Sequence, residues 1–280
     1  MNIHLIFDPS CASAPSAFRS ALGYAANDLG AQIQGGGTVN IAIGWGEVGG
    51  QALAPTSLAE GGPARTYSIP YTAMLDDETQ TTASAVAFQA LETAPWSATH
   101  PDYLVCSAQM KAWGAMAQDT AIDGVVGFSS TQPFAMSPAH RAVAGEYDLI
   151  GSAEHEIAHA LGRFAGDGMV QLSHYSAVGV LDTGNGDGYF SLDGGRTVLH
   201  SYAPAWEDGT DWAAGTAPDS FDAISTPGVA QPLSAVDVQE IGSLGYNVAQ
   251  PYSRGMVPAA EDGTVGLRFR HPVRMSFQHS

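Results

Sequence analysis

One five-residue segment constrains this chain more than any other: His155-Glu156-Ile157-Ala158-His159. On a helix, residues four apart share a face, so both imidazoles can reach one metal ion. Glu156 projects beside them, where it can take a proton from a metal-bound water. Ile150, Ala153, Ile157, Ala160 and Leu161 recur at helical spacing and predict a core-facing stripe. The His pair lies off that stripe, on the side a cleft would occupy. Gly162 follows as a natural helix stop, since glycine adopts a left-handed turn without steric cost. The competing reading is a surface helix carrying two solvated histidines and a glutamate.

Composition narrows the class. At 280 residues, 45% of them apolar, the chain can bury a full core and is globular. Only 14% of residues are charged, the net charge is -18, and Lys111 is the one lysine. Such a surface argues against nucleic acid and anionic membranes as partners and favours bound cations. It fits a secreted or periplasmic protein. No stretch is long and apolar enough to span a membrane. No signal peptide is visible ahead of the strand at 3–7, so an exported form would be a mature or trimmed chain. Cys11 and Cys106 could form one disulfide in an oxidising compartment. A buried free thiol suits Cys106 better, because it sits in an apolar pattern.

Along the chain, strands are predicted at residues 3–7, 39–45 and 124–130, with short ones near Leu53 and at 67–69. Helices are predicted at 15–33, 81–93 and 103–116, and at 147–163 around the motif. Beyond Gly162 the chain turns rich in Gly, Asp and Ser. A β-hairpin is predicted there, with 189–192 and 197–199 joined by Asp193-Gly194-Gly195. A helix over 234–245 starts at Ser234 as its N-cap, and a strand is predicted at 265–269.

His155 to Gly162 resembles the first eight positions of the metzincin signature, H-E-x-x-H-x-x-G-x-x-H/D. The strand Phe128-Ser129-Ser130 ahead of the helix, and the helix closing in Leu244-Gly245-Tyr246, resemble secreted bacterial metalloproteases of that clan. The resemblance covers roughly residues 1–250. It implies an α+β, metzincin-like fold: an N-terminal mixed sheet with helices, a central zinc-binding helix, and a loop-rich C-terminal lobe closed by a helix. The implied division is an upper catalytic lobe at 1–163 and a lower lobe at 164–280, forming one catalytic unit. The implied activity is that of a zinc metalloendopeptidase acting on protein or peptide substrates, with Zn2+ held by His155 and His159 and Glu156 as general base. A peptide could lie extended along Val125–Ser129 and pair with its edge.

Ala165 stands where the signature's third ligand belongs, so that ligand must come from elsewhere. Asp167, His174, Asp182 and His200 are the candidates. His174 is favoured, as imidazole is a good zinc donor and the preceding turn leaves slack to fold back; Asp167 is the runner-up. If His174 binds the metal, Tyr175 beside it is a candidate donor to a transition-state oxyanion; the alternative is a packing residue. The run Asp182 to Gly188 holds hard oxygen donors suited to Ca2+, though without EF-hand spacing, and a plain loop is the stronger reading. Glu207, Asp208 and Asp211, beside Trp206 and Trp212, read as a solvated acidic loop over an aromatic anchor. Two other classes stay open: a zinc hydrolase of non-peptide bonds, and a metalloprotease-like binding protein whose metal site is incomplete.

Overall fold

The computed structural model describes residues 1–70, 102–182, 187–215 and 217–249, together with the backbone of 267–268. The helix expected at 81–93 and most of the acidic run after Asp182 lie outside these residues. What is described is a mixed α+β protein with four α-helices and several small sheets.

The chain starts with a parallel β-α-β unit. Strand β1 (Asn2–Phe7) leads through a short 3-10 turn into helix α1 (Phe18–Gln32) and on to β2 (Thr38–Trp45). Phe18, Leu22, Ala25 and Leu29 are buried on one face of α1, which is the apolar periodicity visible in the sequence. β3 (Glu47–Val48) and β4 (Gln51–Ala52) form a tight hairpin. β5 (Ala59–Pro63) and β6 (Thr66–Pro70) follow, and β6 pairs with β7 (Asp102–Cys106). Helix α2 (Ser107–Trp113) starts directly after β7. The segment 103–116, expected to be one helix, is therefore strand and then helix. Its first residues, Tyr103-Leu104-Val105, are a short apolar run that periodicity alone does not separate from a helix turn.

Strand β8 (Gly124–Phe128) completes the main sheet, whose order is β1-β2-β8-β5. β1, β2 and β8 are parallel, and β5 runs antiparallel to β8. β8 thus has a neighbour on each side and offers no edge to an extended peptide. The short pair β9 (Phe134–Ala135) and β10 (Tyr147–Asp148) leads into helix α3 (Leu149–Ala160), which carries the motif. Asp148 caps α3 by accepting from the Ile150 amide at 3.1 Å. All twelve residues of α3 are buried. The helix packs on β5, β8 and α1, and the later part of the chain covers its other side.

That later part contains a small antiparallel sheet in the order β12-β11-β13-β14. Its strands are β11 (His174–Ala177), β12 (Val180–Leu181), β13 (Tyr189–Phe190) and β14 (His200–Ser201). A hairpin after Tyr189 is present, but its second strand is His200–Ser201 rather than the expected 197–199, so its loop is longer. β15 (Ile224–Ser225) pairs with β16 (Leu267–Arg268), and helix α4 (Ala235–Ser243) lies between them in sequence. One hydrophobic cluster runs from Ile3 and Phe18 through Ile157 and Leu161 to Trp212, Phe221 and Ile241. Residues before and after position 163 therefore share a core. Cys11 and Cys106 are both buried free thiols. Among the described residues, no helix is long and apolar enough to cross a membrane.

Candidate metal centre

His155 and His159 lie one turn apart on α3, as their spacing requires. Both are buried, so the cleft face expected for them is covered. Their ring Nε2 atoms approach to 3.0 Å. The third group at this point is Asp211: its Oδ1 is 3.0 Å from His159 Nε2 and 3.2 Å from His155 Nε2. His155, His159 and Asp211 form a buried cluster that could hold a metal ion.

The hydrogen bonds around the cluster fix which nitrogens face inward. His155 Nδ1 lies 2.8 Å from the Ser220 carbonyl oxygen, and His159 Nδ1 is hydrogen-bonded to the Arg163 carbonyl oxygen. A carbonyl only accepts, so both Nδ1 atoms carry hydrogen and donate. At His159 the Arg163 guanidinium donates to Nε2 at 2.7 Å, which makes that atom a lone-pair acceptor. His159 is thus held as the neutral tautomer a metal needs, by the kind of outer hydrogen bond that orients metal-ligating histidines. Two inward Nε2 atoms and one carboxylate oxygen lie at mutual distances of 3.0, 3.0 and 3.2 Å, with the Arg163 guanidinium donating to His159 Nε2 and to Asp211 Oδ1. Those spacings suit zinc, since bonds of about 2.0–2.1 Å in a tetrahedron place ligand atoms about 3.3 Å apart.

Arg163 follows the motif directly and is fully buried. It donates to the Thr210 carbonyl at 2.6 Å and to Asp211 Oδ1 at 2.9 Å, and its guanidinium lies 4.2 Å from the centre of the Phe221 ring. Burial opposes charge on Asp211, but the neighbouring His155 and Arg163 side chains hold its carboxyl well below the usual range. Glu240 lies 3.9 Å from Arg163 Nε and accepts from Tyr202 Oη at 2.9 Å. Burial pushes its carboxyl up to about 8, against the pull of Arg163.

Glu156 is also buried. Its carboxylate packs against β5 at Gly61, where a Cβ would come within 2.8 Å of Oε2 and 2.6 Å of the Glu156 carbonyl oxygen. Glycine at 61 is what allows helix and strand this close approach. Gly162 has φ +121, and a Cβ there would lie 2.7 Å from the Gln109 side chain. The helix ends at Ala160, just short of the expected 163, and Gly162 makes the turn that follows.

The other sequence candidates lie elsewhere. His174 is outside the cluster: it sits at the start of β11, its ring 4.1 Å from that of Tyr202 and its Nε2 3.9 Å from Asp182. Asp167 is exposed, and its backbone oxygen accepts from the Leu104 amide. His200 stacks on Trp212 at 4.8 Å. Tyr175 is buried beside Tyr189 and Gly195.

The sequence places Asp211 in a solvated acidic loop. The structure corrects this: Asp211 and Trp212 are buried, whereas Trp206 is 66% exposed. Nothing local sets Asp211 apart, since Glu207 also adjoins a tryptophan, the exposed Trp206. Arg163 was missed as well, although a lone arginine just after the motif helix was a candidate counter-charge for buried acids. No protein-family model, no curated protein and no solved structure matches this chain.

Proposed function

We propose that this protein is a zinc-dependent hydrolase with peptidase activity, in which His155, His159 and Asp211 hold the metal and Glu156 is the general base. The observation that carries this reading is the convergence of two oriented imidazoles and one carboxylate oxygen at the helix that also bears Glu156. Zinc bound there would supply a Lewis acid for the scissile carbonyl and a water of lowered pKa. Glu156 takes the proton of the attacking water and passes it to the leaving amine. Ser220 and the Arg163 carbonyl keep the two rings in register while this happens. Asp211 takes the ligand role assigned to His174 from the sequence, and Arg163 offsets its charge. The motif, the sheet with one antiparallel strand and the turn at Gly162 support a metzincin-like arrangement, with a lobe at 1–163 and another at 164–280. An acidic surface supports a secreted or periplasmic setting and polypeptide partners rather than nucleic acid.

Burial of all three ligands favours a second reading, a closed metal site with a structural role, because catalytic zinc keeps an open position. One experiment separates the two. The zinc-reconstituted protein is assayed on quenched peptides and on ester and non-peptide amide substrates, beside Glu156→Gln. We expect about one zinc per chain in both proteins and a rate loss of about 100-fold or more in Glu156→Gln. Full zinc with no turnover of any substrate would leave the structural reading standing. Turnover restricted to the non-peptide substrates would keep the hydrolase and remove the peptidase.

A further inference from the structure

Both ring nitrogens of His159 are bonded to one residue. The turn at Gly162 brings Arg163 back over the end of α3, where its amide donates to the Ala158 carbonyl at 3.2 Å. The Arg163 carbonyl oxygen accepts from His159 Nδ1, and the guanidinium donates to His159 Nε2 at 2.7 Å. A second guanidinium nitrogen donates to Asp211 Oδ1 at 2.9 Å and to the Thr210 carbonyl at 2.6 Å. One planar fork thus bridges two acceptors that face each other at 3.0 Å. With hydrogen on Nδ1, His159 Nε2 has a single lone pair, and that pair is what a metal ion would bind. One lone pair serves a hydrogen or a metal and not the two together. Asp211 Oδ1 has more than one lone pair and is under no such restriction.

We propose that Arg163 competes with the metal ion for His159: the guanidinium must leave Nε2 for the ring to bind the ion, and Glu240 receives it. The inference rests on the metal-binding part of the function proposed above and not on peptidase activity. Glu240 is placed for this part. It stands on α4, and its Oε1 accepts from Tyr202 Oη at 2.9 Å. Its Oε2 lies 3.9 Å from Arg163 Nε, beyond hydrogen-bonding distance. Neither of these two atoms has a hydrogen-bond partner, and both residues are fully buried. A shift of about 1 Å would close the gap to a charge-assisted bond of about 2.9 Å. Positive charge at the His–Asp cluster repels the guanidinium at short range and so favours its departure. Each position gives the buried guanidinium an oxygen acceptor, so neither leaves it unpaired.

The test is zinc affinity by chelator competition, and thermal melting with and without zinc, in wild type, Arg163→Met, Glu240→Gln and the double variant. A guanidinium that holds Nε2 for about nine-tenths of the time or more weakens zinc binding about tenfold or more. Arg163→Met should therefore bind zinc more tightly by that factor, and gain more in thermal midpoint when zinc is added. Glu240→Gln should bind zinc more weakly, and that loss should vanish on the Arg163→Met background, where no guanidinium moves to residue 240. A loss of equal size on both backgrounds reports only a missing nearby charge and overturns the inference. Unchanged or weaker affinity in Arg163→Met overturns it too, and leaves the metal site standing. Zinc binding in none of the proteins removes the metal site itself, and the inference with it. If Arg163→Met does not fold, a crystal structure of the zinc-loaded wild type decides. Arg163 Nε should then lie within hydrogen-bonding distance of Glu240 Oε2, and a separation still near 3.9 Å overturns the inference.

Discussion

At the scale of single residues, Asp211 completes the group on the motif helix that could hold a metal ion. Asp211→Asn keeps the volume and removes the charge. We expect it to weaken zinc affinity at least tenfold, whereas His174→Ala leaves it nearly unchanged, because His174 lies outside the cluster. Competition against a fluorescent chelator reads both; a large loss in His174→Ala alone would return the ligand role to the imidazole. The difference between these residues shows what a sequence can carry. His155 and His159 were legible because a helix converts a four-residue spacing directly into a shared face. Asp211 meets them from 52 residues beyond His159. Nothing local encodes that meeting; it depends on how the chain returns over α3. His174 was favoured on donor chemistry and slack, and neither of those fixes a direction in space.

At the scale of elements, most helices and strands followed from periodicity, with ends shifted by a few residues. The exceptions have physical causes. β7 and α2 were merged because Cys106 ends one and caps the other, its amide donating to Gln109 Oε1 at 2.8 Å, so no loop residue marks the join. Helix α3 was legible as a helix but not as a fully enclosed one, since burial of its polar face comes from later segments. Its start depends on Asp148, which also accepts from Arg141 Nε at 2.8 Å and from the Gln231 amide at 2.9 Å. Asp148→Ala removes the cap and leaves Arg141 facing a void where its counter-charge stood. We expect a loss of about 3–5 kcal/mol, the range for breaking a buried pair on one side. Urea unfolding monitored by tryptophan fluorescence measures it, and a loss below about 1 kcal/mol would reduce Asp148 to an ordinary cap.

At the scale of the whole molecule, enclosed acids set the response to pH. Glu154 on α3 is buried, and burial raises its carboxyl from 4.5 to about 9, although Arg141 stands 3.6 Å away and pulls the other way. A folded-state value above the unfolded one gives stability that is fully present below about pH 4.5 and is lost as pH rises through about 9. The thermal midpoint should therefore fall between pH 5 and pH 9, and Glu154→Gln, which cannot ionise, should flatten that fall. Parallel curves for the two proteins would mean that Glu154 takes no part.

The protein's one lysine is held in the interior. Lys111 is 3% exposed, its Nζ 2.8 Å from Asp119 and 2.7 Å from Asp123. Amine-directed chemistry consequently finds no lysine side chain on the folded surface, so ester labels and lysine-to-lysine cross-linkers should leave the native side chains untouched. A lysine-specific protease has a single cleavage position, and it can be reached only when α2 comes away from the sheet. Cutting would then give fragments of 111 and 169 residues at a rate set by opening of the molecule. One band becoming two on a gel is thus a clock for unfolding, and rapid cleavage under native conditions would show that α2 detaches while the rest stays folded.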